Sequence, residues 1–385
     1  MCGMYLVVCM VVGPSDNDHK YRRRKLLTLG SAVALGGLAG CVGDDDEDSD
    51  GSPVNGDESS GNGGGSDNGD DDTMLIGFAN KTLGVPFFAR QEDGFHQAVE
   101  TDLADHPSHL EASEIEGAGI EVPSLDGSTF NAEMSESSQI DQLETFLSRD
   151  PDAVIINPVS PTGANPALEE YREEDIPVIN IDTEITEFEP DTYIASRNIE
   201  LGRRAGELLL EFLDDAYDKS SYNVVELQGA AGDVGTRERH SGFREALEDS
   251  SVDVIGDEHA DWAAQQALDA MEDMITRHGE DIDGVYAHND FMAEGAYQAL
   301  EGSDMGPLPT TSIDGSELWV TKFDEYEYYG SIAQQPENMT RLGIEKALMV
   351  ANDIDIQDYY PIPGIRVTSE NAEDYLAEFF PDAEM

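Results

Sequence analysis

GVYAHNDFMAEG (284–295) changes character twice. The apolar run Val285-Tyr286-Ala287 stops at His288, Asn289 and Asp290, and helix-forming residues follow at once. A short apolar run that opens through polar residues into a helical pattern predicts a strand leading into a helix. Side chains alternate along a strand, so His288 and Asn289 are expected to face opposite ways. Asn289 reads as the residue at the open edge, and His288 as packed or exposed on the other face. Asp290 suits the helix N-terminus, capping backbone N–H groups or steadying Asn289.

The same alternation runs through the chain from Thr73 onward. MLIGFAN (74–80), DAVIINP (152–158), IPVINID (176–182), TYIASRN (192–198), NVVELQG (223–229), DVIGDEHAD (253–261), TTSIDG (310–315) and YGSIAQQ (329–335) read as strands. Between them lie helical patterns such as FFARQEDGFHQAVETDLA (87–104), ELGRRAGELLLEFLDDAY (200–217), TRERHSGFREALED (236–249) and ENMTRLGIEKALMVAND (337–353). Apolar strands without strict alternation, separated by helices, predict parallel sheets covered on both faces. The fold class is α/β, doubly wound, and the strands are too many for one comfortable sheet, so two similar lobes are expected.

Several strands end in a polar residue: Asn80, Asn157, Asp182, Asn289, Asp314 and Gln334. Singly, each has a plain reading as a helix cap or loop residue. Together they mark the carboxyl edge of open α/β sheets, where ligands sit, and two lobes facing across that edge make a cleft.

Charge narrows the function. The 385 residues carry 21 Lys plus Arg against 82 Asp plus Glu, a formal net charge of −61. Unassisted nucleic-acid binding needs clustered positive charge and is excluded; docking on an anionic membrane surface is disfavoured. Acids stud the helices, as in EEYREED (169–175). Self-repulsion on this scale predicts a protein adapted to high ionic strength, as in salt-loving archaea. The cysteines are Cys2, Cys9 and Cys41, so the folded part has neither a disulfide nor a thiolate metal site.

YRRRKLLTLGSAVALGGLAGC (21–41) has the plan of an export signal, with Arg22–Arg24 as the charged region and an apolar stretch too short to span a bilayer. The adjacent arginines resemble a twin-arginine signal, and Leu38-Ala39-Gly40-Cys41 resembles a lipobox with Cys41 as the lipidated residue. Residues 42–73, rich in Gly, Ser, Asn and Asp, read as a disordered acidic tether. Together these predict a lipoprotein held at the outer face of the cell membrane.

VPFFARQEDGF (85–95), DAVIINPVSPTGANPAL (152–168), IPVINIDTEI (176–185), VVELQGAAGDVGTRERHSGF (224–243) and VYAHNDFMAEGAYQAL (285–300), in this order, resemble the ribose-type periplasmic sugar-binding proteins. These are substrate-binding subunits of ABC importers and share their fold with the sensing part of LacI-type repressors. The resemblance covers roughly residues 74–368. It implies two doubly wound lobes joined by a three-strand hinge, with crossings near Ser196, Gln335 and Pro363. One lobe would be 74–196 plus 335–363, the other 197–334 plus 364–385.

It also implies a ligand shell. Phe87, Phe88 and Trp262 would sandwich the apolar faces of a sugar ring. Asp182, Arg237, Asn289, Asp314 and Gln334 would bind its hydroxyl rim. No catalytic residue, metal or cofactor is implied. The expected partners are a monosaccharide or related polyol and an ABC permease, with the protein a monomer. Val85 and Thr183 stand where the family often has Asn and Arg, which removes hydroxyl contacts and puts ribose itself in doubt. A receptor presenting a sugar-like signal is the alternative. A glycoside-acting enzyme using Asp182, Asp314 and His288 ranks below it.

Overall fold

A computed structural model describes residues 73–101, 103, 115, 119–120, 122–381 and 383. The export signal, the lipobox with Cys41 and the tether up to residue 72 lie outside the described residues.

Two six-stranded sheets form the framework. The first contains β1 (Thr73–Asn80), β2 (Ser124–Asn131), β3 (Ala153–Ile156), β4 (Val178–Ile181), β5 (Thr192–Ser196) and β11 (Tyr359–Ile362), ordered β11-β5-β4-β3-β1-β2. The second contains β6 (Tyr222–Gln228), β7 (Val252–His259), β8 (Gly284–Ala287), β9 (Thr310–Asp314), β10 (Tyr329–Ala333) and β12 (Ile365–Thr368), ordered β12-β10-β9-β8-β6-β7. Every pairing is parallel except β10 with β12. The chain passes between the sheets three times: after β5, after β10, and between β11 and β12.

The lack of alternation in the strands has a direct cause. In β3, Ala153 and Ile155 enter one core while Val154 and Ile156 enter the core on the opposite face. In β8, Val285 and Ala287 face one way and Tyr286 the other, all buried. Helices α1 (Pro86–Glu100) and α9 (Pro336–Ala351) cover one face of the first sheet through Phe87, Phe95, Met339 and Ile344. Helices α2 (Glu136–Leu147) and α3 (Asn165–Glu173) cover the other through Leu143, Phe146, Leu168 and Tyr171. The second sheet is sandwiched likewise. Helices α4 (Asn198–Ala216) and α5 (Val234–Leu247) lie on one side. Helices α6 (Ala264–His278) and α7 (Asp290–Glu301) lie on the other. The short α8 (Glu317–Val320) follows β9.

β2 and α2 had no counterpart in the sequence reading. β2, SLDGSTFN, is an edge strand, no residue of which is fully buried, so it carries no apolar run to read. The short strands β11 and β12 escaped for a similar reason.

The C-terminal helix α10 (Ala372–Phe379) ties the halves together. Tyr375 packs in the core of the second sheet, and its hydroxyl donates to the Gly315 carbonyl at 2.7 Å. Arg90 of α1 interacts electrostatically with Tyr375, lies 4.6 Å over the Phe380 ring, and forms a forked pair with Glu337 of α9 at 2.5 and 3.0 Å.

Candidate functional site

Both sheets share the strand order 2-1-3-4-5, counted within each half, which puts a topological switch point between β1 and β3 and another between β6 and β8. Ligands gather outside the carboxyl ends of strands at such points. Asn80, Lys81 and Asn157 stand at the first, Gly229, His288 and Asn289 at the second. A cleft of about 1760 Å³ opens there, lined from both halves of the chain. Phe87, Phe88, Asp182, Trp262, Asn289, Asp314 and Gln334 all line it.

Arg237 does not. It is exposed, and the arginine of α5 that lines the cleft is Arg239. The correction follows from helix geometry. Asp233 caps α5 by accepting from the N–H groups of Gly235 and Thr236 at 2.7 and 3.4 Å. The buried stripe then runs Thr236, Arg239, Phe243, Leu247. At about 100° per residue, Arg237 lies roughly 200° from Arg239 and faces water. The same spacing, applied to TRERHSGFREAL, marks Arg239 as the inward residue.

Arg239 is held on every side. Its Nε donates to Asn198 Oδ1 at 2.9 Å and its Nη1 to the His288 carbonyl. Nη1 also lies 3.5 Å from Asp314 Oδ1, and the guanidinium sits 5.2 Å over the Trp262 ring. Gln334 Nε2 donates to the same Asp314 oxygen at 2.7 Å. Burial raises the Asp314 carboxyl, and Arg239 and Gln334 work against that rise. Trp262 lies so close to the end of β6 that a Cβ on Gly229 would fall 2.2 Å from its ring. Glycine there is a condition for the indole's position.

The facing wall repeats the arrangement. Lys81 Nζ lies 3.3 Å from Asp182 Oδ2 and 4.4 Å over the Phe88 ring, and it donates to Thr183 Oγ1 at 2.6 Å. Asn157 donates to Asp182 Oδ2 at 3.2 Å, and the Tyr193 hydroxyl donates to the Asp182 carbonyl at 2.6 Å. Asp182, Trp262 and Asp314 all have positive φ, 60°, 63° and 130°. Non-glycine residues adopt such angles where the surroundings over-determine them, and these clusters mark functional sites. Lys81 was absent from the expected shell. Its signal was weak: one lysine just past a strand end, with its partners about a hundred residues away.

The three polar residues after β8 divide differently from expectation. Asn289 is the cap of α7: its Oδ1 accepts from the Met292 N–H at 2.9 Å, and its Nδ2 donates to the Trp262 carbonyl at 3.3 Å. Its side chain therefore positions the indole as well as facing the cleft. Asp290 does not cap. It is fully buried and accepts from the hydroxyls of Ser312 and Ser331 at 2.5 and 2.8 Å and from the Ser316 N–H at 2.6 Å. It thereby brackets the turn that carries Asp314. Burial, with the nearby Asp314 charge, pushes the Asp290 carboxyl up to about 7.

His288 is buried with both ring nitrogens engaged. Nδ1 accepts from the Gly229 N–H at 3.3 Å and Nε2 donates to Glu226 Oε1 at 2.8 Å. His240 Nδ1 donates to the same oxygen at 2.9 Å, and Arg244 forks onto Oε2 at 3.1 and 2.9 Å. Burial works to raise the Glu226 carboxyl, but the hydrogen bonds from His240 and His288 outweigh it and bring it down to about 2. This network lies beneath the cleft and stiffens its floor. In this arrangement His288 has no ring nitrogen left to serve as a base.

Chemically, the cleft offers flat apolar rings beside fixed charge-assisted donors and acceptors. That combination matches a molecule with apolar faces and a hydroxyl rim. Among the described residues no group of three or more His, Cys, Asp or Glu side chains is arranged to hold a metal ion.

Known proteins with this architecture are numerous. The ribose import binding protein RbsB of Bacillus subtilis (strain 168) is 29% identical over 272 residues, 71% of this chain and 80% of that protein. The galactofuranose-binding protein YtfQ of Escherichia coli (strain K12) is 32% identical over 57% of this chain and 67% of its own length. Among solved structures, an ABC transporter periplasmic solute binding protein from Actinobacillus succinogenes 130z with bound D-allose superposes with a TM-score of 0.67. It is 21% identical, covering 78% of this chain and all of that one, and so bears on the fold. Residues 76–354, which hold both switch points and both walls of the cleft, match the periplasmic binding protein domain, and the chain belongs to that family.

Proposed function

We propose that this protein is the substrate-binding subunit of an ABC importer, taking a monosaccharide or related polyol into the cleft and delivering it to a membrane permease. The observation that carries this reading is the matched pair of walls: Lys81, Asp182 and Phe88 on one, Arg239, Asp314 and Trp262 on the other. The relatives' names support it, covering ribose import and galactofuranose binding. Solved structures of the same fold hold D-allose and myo-inositol.

The ligand bridges residues 74–196 plus 335–363 and residues 197–334 plus 364–385, acting as two lobes, and favours their closed arrangement. The bonding partners are Asp182, Arg239, Asn289, Asp314 and Gln334, with Phe87, Phe88 and Trp262 against the ring. The chain acts as a monomer without catalysis, anchored outside the cell membrane through lipid on Cys41, in surroundings of high salt. The test is a calorimetric and thermal-shift screen in molar salt against pentoses, hexoses, deoxy sugars and polyols. The expected result is saturable stabilisation by one or a few of them; stabilisation by none would sink the sugar reading.

A further inference from the structure

Both walls of the cleft carry more carboxylates than cations. From the first half the lining takes Asp182, Glu184, Glu189 and Asp358 and, among the described residues, one cation, Lys81. From the second half it takes three arginines and six carboxylates. Each wall is net negative, and the two bound the same space.

Glu184 and Glu238 give this opposition a definite pair. Glu184 is exposed in the turn after β4, and Glu238 is half-buried on α5. Both line the cleft, one from each half. Burial raises the Glu238 carboxyl; Asn198, Arg237 and Arg239 oppose the rise and the charge of Glu184 adds to it. The same two charges reach Tyr193 and Tyr359, whose rings stack at 5.5 Å on the paired strands β5 and β11. Burial raises both phenols and both glutamates add to it, with Arg197 opposing at Tyr359. The chain leaves the first half at the ends of these two strands.

Deeper in, the walls also oppose carboxylates, but with compensation. Burial raises the Asp314 carboxyl and the charge of Asp182 adds to it, while Arg239 stands beside the one and Lys81 beside the other. Arg197 and Arg203 line the cleft too, yet each is paired within its own half, with Glu200 at 2.8 Å and with Glu207. Neither pairing bridges the walls. A neutral ligand brings no charge to offset what remains. Screening does: the Debye length falls from about 10 Å at 0.1 M salt to about 3 Å at 1 M.

We propose that the cleft has a salt-gated closure: Glu184 and Glu238, one from each half, oppose the approach of the walls, so a neutral ligand is held tightly only when ionic strength is high. The proposal rests on the reading that ligand closes two lobes, and goes beyond it by naming what regulates that closure.

The test is titration calorimetry on the full chain, with D-ribose, D-allose, D-galactose and myo-inositol as probes. Potassium chloride is set at about 1 M and about 0.1 M. Where the wild type does not melt cooperatively at the lower concentration, the least at which it does is used. For a probe that binds, wild-type Kd should rise as salt is lowered. At low salt Glu184→Gln/Glu238→Gln should bind roughly 2- to 5-fold tighter than the wild type, the scale of an exposed charge pair. At high salt the two should agree. The single variants should each give most of the gain, because one pairwise repulsion is removed either way. Glu184→Lys should gain more than Glu184→Gln at low salt. Glu170→Gln/Glu272→Gln takes the same charge from exposed positions on α3 and α6, away from the cleft, and should follow the wild type. An equal salt response in the wild type and the cleft double variant would overturn the proposal and leave the sugar reading intact, as would a gain in the remote double variant matching that in the cleft. Millimolar magnesium that restored the high-salt affinity would overturn it too, since a bound ion and not screening would then be the cause. Binding of no probe by the wild type at high salt would overturn both readings.

Discussion

Arg239 lies 3.5 Å from Asp314 and 5.2 Å above Trp262, so one guanidinium joins the acidic and the aromatic parts of a single wall. Arg237, two residues earlier, touches neither. The two arginines therefore make an internal control. Arg239→Ala should weaken binding of whichever sugar emerges by about 100-fold or more, since it removes charged hydrogen bonds and leaves a buried carboxylate unpaired. Arg237→Ala should change Kd by less than about twofold, as expected for a solvent-facing substitution. Asp314→Ala should keep the fold and abolish binding. Calorimetry on the three variants decides it, and equal losses at 237 and 239 would reject the placement of α5.

The chain's two tryptophans are Trp262 in the cleft and Trp319 in the core of the second half. A ligand-dependent fluorescence change should therefore vanish in Trp262→Phe and persist in Trp319→Phe. Gly229→Ala provides a subtler version. Its new methyl group would fall 2.2 Å from the indole, so the ring must move. The expected outcome is a shifted emission maximum, roughly tenfold weaker binding, and a stability loss of about 1–3 kcal/mol by chemical denaturation.

Asp290 predicts a pH dependence. Its carboxyl is raised from 3.8 to about 7 by burial and by Asp314. As pH climbs from about 4 to 7, the unfolded chain gives up this proton while the folded chain keeps it, so stability falls across that window and the loss is complete above it. Asp290→Asn removes the dependence. Between about pH 4 and pH 8 the difference in unfolding free energy should swing toward the variant by on the order of 2–4 kcal/mol. Denaturant titrations at the two pH values give the number; parallel curves for both proteins would contradict it.

A net charge of −61 predicts that the melting temperature rises as salt is raised from millimolar to molar, because screening relieves self-repulsion. Melting temperatures equal at both extremes would reject the salt-adapted reading. Potassium and sodium chloride should act alike if screening is the cause, which differential scanning calorimetry can check.

The framework was legible because parallel strands buried on both faces leave plain apolar runs: AVII of β3 and GVYA of β8 stood out from sequence. Polar residues at strand ends were legible for a related reason, since a polar side chain that interrupts such a run marks where the sheet stops being buried. The edge strand β2, polar along most of its length, carried no such mark. The motif pointed to Arg237 because a motif gives spacing along the chain, whereas which arginine enters the cleft turns on helical phase relative to the cap at Asp233. Lys81 and Asp290 lay beyond a one-dimensional reading. What each does depends on partners brought together from distant strands: Asp182 and Thr183 for the first, Ser312 and Ser331 for the second.

The link from Arg90 through Tyr375 to Gly315 bears on how this protein could be turned into an optical sensor. Sensor designs attach one fluorophore to each half and often trim the chain ends to shorten the linkers. Cutting after Thr368 would strip the Gly315 carbonyl of its phenol donor, one residue from Asp314, and would leave Arg90 with Glu337 but without the ring of Phe380. A sensor trimmed there would start from an altered resting geometry, and its signal would mix that change with ligand binding. The segment that follows the last strand is best kept whole and the fluorophore placed elsewhere.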